Sequence, residues 1–143
     1  MTKMAPVVHF EMPADDKKRM SKFYESAFGW QTQMLGEEMG HYVLATTTPS
    51  NKDGRPEKPG AINGGFYGKP PGMEAAYPSV VIAVDDIGAA MQAVSKAGGK
   101  ILNEPMAIPG VGQYVSFLDT EGNRVSMLQP LPPGGAQSSR QQQ

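Results

Sequence analysis

A strand–helix unit written twice constrains this chain more than any other feature. Residues 7–30 read VVHFEMPADDKKRMSKFYESAFGW, and residues 79–100 read SVVIAVDDIGAAMQAVSKAGGK, at an offset of seventy. In each copy an apolar and β-branched run meets a pair of aspartates, then a helical stripe, then glycine. The run predicts a strand. The aspartates predict a helix N-cap and place negative charge at the positive end of the helix dipole. The first stripe is Met20, Phe23, Tyr24, Ala27 and Phe28, stopped by Gly29. The second is Ala90, Ala93, Val94 and Ala97, stopped by Gly98 and Gly99. Both have the i, i+3, i+4, i+7 spacing of one helix face.

The remaining strands follow each copy. In the first, Val7 to Met12 alternates, with Val7, His9 and Glu11 on one face and Val8, Phe10 and Met12 on the other. The apolar set is expected under the helix, which leaves His9 and Glu11 facing solvent or a cavity. Further strands are expected at Trp30 to Leu35, His41 to Thr47 and Ala61 to Phe66, the last weakened by Gly64 and Gly65. Residues 67–78 (YGKPPGMEAAYP) read as a linker. The second copy supplies strands at Ser79 to Val84, Lys100 to Ala107, Gln113 to Leu118 and Arg124 to Gln129, with DTEGN as a hairpin turn before the last. Residues 131–143 are polar and low in complexity, and a disordered tail is expected there.

The fold class is therefore α+β: two βαβββ modules, 7–66 and 79–130, forming curved mixed sheets around a concave cleft. One helix covers only one face of a four-stranded sheet. The other face must be buried against the second half, line a cavity or be wet. The concave space is the expected place for a ligand.

Composition removes several function classes. The 143 residues carry a formal charge of -1, with no basic stripe for nucleic acid. No apolar run is long enough to span a bilayer, and MTKMAPVVHF lacks the apolar core of a signal peptide. A cytoplasmic protein is the expectation. Cysteine is absent, so disulfides and thiolate metal sites are excluded.

The paired modules, FYESAFGW at the end of the first helix, VDD opening the second, and DTEGNR before the last strand resemble the vicinal oxygen chelate superfamily. That group includes glyoxalase I, bleomycin-resistance proteins, extradiol dioxygenases and methylmalonyl-CoA epimerase. The resemblance runs from Val7 to about Pro130. It implies a divalent metal held by about four His and Glu ligands, from the first strand and a later strand of each module. Carried over, the first-strand position falls on His9, which fits, and on Ser79 in the second module, which does not. The last-strand position is Ser126, and the remaining one lies near Leu44 in HYVLATT, a strand without a carboxylate. A catalytic divalent site needs about three protein ligands, so no metal cofactor is expected.

The candidate catalytic residues are His9 and Glu11. An imidazole in a cavity titrates near neutral pH and suits acid–base or hydrogen-bonding work. Alternatively, His9 is a former ligand satisfied by a carbonyl or water, and Glu11 a rim carboxylate. The candidate ligand-binding residues are His9, Tyr42, Leu44, Asn63, Ser79, Tyr114, Ser116 and Ser126. Tyr114 and Ser116 face the cleft if Val115 and Phe117 pack under the helix, whereas His41 lies off the Leu44 face. Asn63 with Gly64 and Gly65 offers either close backbone approach or a bulge. Trp30 is expected to pack, and Lys17, Lys18 and Arg19 to form a solvated helix face.

Three readings remain open. The first is a homodimeric, glyoxalase/bleomycin-resistance-like protein that binds a small organic ligand in the inter-module cleft with its metal site mostly lost. The second is a metal-dependent lyase, isomerase or dioxygenase with a rearranged ligand set including His9 and Glu11. The third is a partner-binding module whose cavity is vestigial.

Overall fold

Both helices start where the aspartate pairs place them. In the computed structural model, which describes residues 3–73 and 76–132, α1 (Lys17–Phe28) is capped by Asp16, whose carboxylate accepts from the Arg19 amide. In α2 (Ile87–Lys96), Asp86 accepts from the Ala89 amide in the same way. The first turn of α2 has a second tie, since Gln129 Oε1 accepts from the Ile87 amide at 2.8 Å. Gly29 ends α1 in the left-handed conformation at φ 72°, and its N–H donates to the Glu25 carbonyl.

The chain divides into two compact units, Val8–Val80 and Met1–Val7 with Val81–Gln143. In the first, the strands are β1 (Val7–Ala14), β2 (Gln31–Met34), β3 (Val43–Thr46) and β4 (Asn63–Gly68), and a single 3-10 turn spans Glu37–Met39. Their order is β2-β3-β4-β1. β1 and β4 run parallel, while the other pairs are antiparallel. Val43, Ala45 and Phe66 form the core under α1, joined by Phe10, Met12, Met20, Tyr24 and Trp30. The expected alternation of β1 therefore holds.

The helical stripe is narrower than expected. Met20 and Tyr24 pack on the sheet, but Phe23 and Phe28 are 57% and 64% exposed. Phe23 instead meets Tyr24 edge-on at 5.0 Å, and Phe28 stacks on Tyr24 at 5.9 Å. Lys17 is not simply solvated either: its ammonium donates to the Gly40 and His41 carbonyls and ties α1 to the entry of β3. His41, expected in a strand, has φ 54°, so β3 starts two residues later. β4 also starts later than Ala61 and runs through Tyr67 and Gly68, which composition alone had assigned to the linker.

The second unit holds β5 (Ser79–Ala83) from Val81 onward, β6 (Lys100–Ile101), β7 (Met106–Ile108), β8 (Gly112–Leu118) and β9 (Arg124–Pro130), in the order β5-β9-β8-β6 with β7 also on β8. Ile87, Val115 and Met127 make its core. The strand expected over 100–107 is broken in two. Between the pieces the Asn103 side chain accepts from the Ser116 amide at 2.9 Å, in place of a ladder carbonyl. Pro105 has no N–H to contribute to a ladder. Residues 3–7 belong to this unit: Ala83 donates to the Pro6 carbonyl, and Lys3 pairs with Asp85.

The DTEGN turn shows why its sequence makes a hairpin. Asp119 accepts from the amides of Glu121 and Asn123 and from the Asn123 side chain, and Gly122 takes φ 82°. The Asn123 bonds, ahead of the others, hold the exposed Asp119 carboxyl below its ordinary value. The expected tail from residue 133 onward lies outside the described residues. No helix among the described residues is long and apolar enough to cross a membrane.

Replacing either cap removes a charged acceptor for an otherwise orphaned helix amide. Asp16→Ala and Asp86→Ala should each cost about 1 kcal/mol of stability in urea denaturation. Asp86→Ala should be the milder, because Gln129 still holds the Ile87 amide.

Candidate functional site

The face of the first unit's strands turned away from α1 carries His9, Glu11 and Tyr42, three of the polar side chains singled out in the sequence. Strand register aligns Glu11 of β1, Gly65 of β4, Leu44 of β3 and Gln33 of β2 in one row. His9 pairs with Asn63 one step along. Glu11 is buried at 9% exposure, whereas Leu44 is 38% exposed.

Tyr42 completes this face from just before β3. Its ring and hydroxyl lie across Gly65 so closely that a Cβ there would overlap the phenol. The Tyr42 hydroxyl is 3.4 Å from His9 Nε2. That distance is long for a hydrogen bond, and contacts of this kind often tighten only around a ligand. Partial burial lowers the pKa of His9 below its ordinary value, because loss of hydration disfavours the charged ring. The imidazole is therefore neutral at pH 7, and its two nitrogens offer one donor and one acceptor.

The neighbouring Gly64 does the same work on the other face, where the Phe10 ring occupies the space of its missing side chain. Neither glycine forms a bulge, since both stay in register with β1 and β3. The close approach signalled by the glycines is an approach of the protein's own rings.

Asn63 is committed to local structure. Its Oδ1 accepts from the amides of Thr47 and Thr48 and pins the exit of β3. Its Nδ2 is 3.5 Å from Ser50 Oγ. Ser79 lines a pocket with Phe10 and Met12, the face of β1 opposite His9.

In the second unit, Val115 and Met127 point into the core, which turns Tyr114, Ser116 and Ser126 to the other side of the sheet. Their hydroxyls form a cluster. Tyr114 Oη and Ser126 Oγ are 2.6 Å apart, and Ser116 Oγ lies 3.0 Å from Ser126 Oγ. Both serines are 1% exposed.

These residues do not fit the metal cage that the family resemblance implies. Leu44 has no donor atom, and Ser126 presents a neutral hydroxyl already engaged with Tyr114 and Ser116. Among the described residues there is no group of three His, Cys, Asp or Glu placed to share an ion.

Two partnerships were not legible in the sequence: the seating of Tyr42 on Gly65, and the bonding of Lys17 to the β3 entry. Gly65 did signal close approach, but which ring arrives depends on pairing between strands about twenty residues apart.

Comparison with known proteins places this geometry in a family. The family model of the Glyoxalase/Bleomycin resistance protein/Dioxygenase superfamily matches residues 7–127. A glyoxylase-like domain-containing protein of Didymella fabae is 34% identical over 116 residues, 79% of this chain and 84% of that protein. The lactoylglutathione lyase of Haemophilus influenzae is 26% identical over 125 residues, 86% of this chain and 91% of that protein. Other relatives are longer: the chain spans 33% of one from Arabidopsis thaliana and 20% of one from Mycobacterium tuberculosis. Among solved structures, Streptomyces coelicolor methylmalonyl-CoA epimerase superposes with a TM-score of 0.65 at 14% identity, over 91% of this chain and all of that one (100%). That likeness is one of fold alone. Matched along nearly all of its folded length, the chain belongs to the Glyoxalase/Bleomycin resistance protein/Dioxygenase superfamily.

Proposed function

We propose that the chain binds a small organic ligand on the His9–Glu11–Tyr42 face, without the divalent-metal cage that the family resemblance implies. One observation carries this reading: the Tyr42 hydroxyl lies 3.4 Å from an imidazole that burial keeps neutral. A neutral imidazole and a phenol each donate and accept. Side by side they suit a carbonyl or hydroxyl group of a ligand, and they can relay a proton between themselves. Glu11, on the same face two residues from His9, is the second acid–base candidate. The hydroxyl cluster of Tyr114, Ser116 and Ser126 is assigned to ligand contact in the same reading, as are a cytoplasmic location and a homodimer.

A second reading is a metal-dependent lyase, isomerase or dioxygenase with a rearranged ligand set including His9 and Glu11. The relative named lactoylglutathione lyase favours it. Metal analysis of protein purified without chelator separates the two. The proposal expects no stoichiometric divalent metal. A one-to-one metal lost in His9→Ala would overturn it. A thermal-shift screen of uncharged carbonyl compounds should yield a ligand that, at about 100 times its dissociation constant, stabilises the fold by roughly 2.7 kcal/mol.

Gly65→Ala tests the seat of Tyr42. The added methyl must push the phenol off the sheet, which should cost about 1–3 kcal/mol. The same change in Tyr42→Ala protein should cost less, because the overlapping ring is gone. An equal cost in both backgrounds would remove Tyr42 from the site.

His9 also gives a pH signature. Its folded pKa is lowered, so below about pH 6.5 the unfolded chain takes up the proton first. Stability should therefore fall as pH drops through that value, by at most about 1.4 kcal/mol per pH unit for one group. Above it the residue contributes no pH dependence. Urea denaturation between pH 7.5 and 5 should show a shallower decline for His9→Gln than for the wild-type chain.

A further inference from the structure

The opposite face of β1 borders a second pocket, within the Val8–Val80 unit. It is open, about 450 Å³ in volume, and lined by Phe10, Met12, Trp30, Thr47, Ile62, Pro78, Ser79 and Val80. Strand alternation separates it from His9 and Glu11, which project from the other side of β1. It lies outside the site proposed above.

The lining has a definite chemistry. It contains no charged side chain, and its side-chain polar groups are the hydroxyls of Thr47 and Ser79 and the indole N–H of Trp30. Thr47 Oγ1 already donates to the Ile62 carbonyl at 2.6 Å, so toward a ligand it offers an acceptor. A charged ligand entering such a wall would lose hydration without gaining a partner. Trp30 and Phe10, both in the lining, sit 5.6 Å apart with their rings tilted by 47°. Tyr24, stacked 4.6 Å away, holds the indole in place. Rings fixed in this way favour a flat apolar partner, through offset or edge contacts. The volume falls within the range of small-molecule sites.

We infer that this pocket is a second binding site, for an uncharged, planar aromatic small molecule carrying a single hydrogen-bonding group. Ser79 belongs to this pocket, and its hydroxyl and Thr47 receive the polar group of the ligand.

Trp30 is the only tryptophan of the chain, so its emission reports the pocket directly. The test titrates the full-length protein with N-phenyl-1-naphthylamine, an uncharged fluorophore, and with anilinonaphthalene sulfonate, a similar skeleton bearing an anion. The expected result is saturable one-to-one binding of the uncharged probe, with Trp30 emission quenched in parallel. The sulfonate should bind at least about tenfold more weakly. Ile62→Glu and Ser79→Glu should each weaken the uncharged probe about tenfold or more, with unchanged far-ultraviolet circular dichroism. Ser79 is a partly exposed rim position, so its variant serves if Ile62→Glu does not fold. His9→Gln should bind the probe as the wild-type chain does. Absence of saturable binding, equal or tighter binding of the sulfonate, or loss in His9→Gln with retention in Ser79→Glu would each overturn the inference. Failure of the site on the His9 face would leave these titrations unchanged.

Discussion

Two adjacent glycines in β4 set the architecture of the first unit. Side chains alternate across a strand, so Gly64 and Gly65 leave one vacancy on each face of the sheet. The Phe10 ring fills the first and the Tyr42 phenol fills the second. The Phe10 side packs on the core with Trp30 and Phe66 and also borders the open pocket. The Tyr42 side brings a hydroxyl beside the half-buried His9. Larger residues at these positions would lift both rings from the sheet, and the core and the polar face would be lost together.

β1 gains its importance from the same geometry. Its even-numbered residues, Phe10 and Met12, face the core and the apolar pocket. Its odd-numbered residues, His9 and Glu11, face the polar side. Two environments of opposite character are thereby kept apart by the thickness of one strand. Burial affects them differently. It stabilises the apolar side chains, while it strips the imidazole of its charge and leaves a group that can both donate and accept.

The duplicated unit has diverged in chemistry while keeping its backbone logic. Both copies keep an aspartate cap, a helix and a parallel partner for the leading strand. The second copy has Ser79 and Ser126 where an ion would need charged or imidazole donors, and the Ser126 hydroxyl bonds to those of Tyr114 and Ser116. A cluster of this kind satisfies its own polarity, so it is compatible with burial of both serines. Family membership therefore constrains the frame of this chain more closely than the chemistry of its polar face.

Much of the frame was legible in the residues. The caps at Asp16 and Asp86, the alternation of β1, the DTEGN hairpin and the inward-facing Val115 follow from local rules of period and capping. The misreadings came where nonlocal partners decide. The strand over 100–107 breaks because Asn103 captures the Ser116 amide. Phe23 and Phe28 satisfy the helical period, yet they pack on Tyr24 instead of the sheet. Separately from these, Asn63 bonds to Thr47 and Thr48 and Ser79 lines the apolar pocket, contacts that no local rule foretells. By itself the sequence determined the order of elements and the faces of each strand, because periodicity and capping act over a few residues. Only the tertiary structure decided which ring seats on which glycine, and hence that His9 meets Tyr42, because those contacts join strands far apart in the chain.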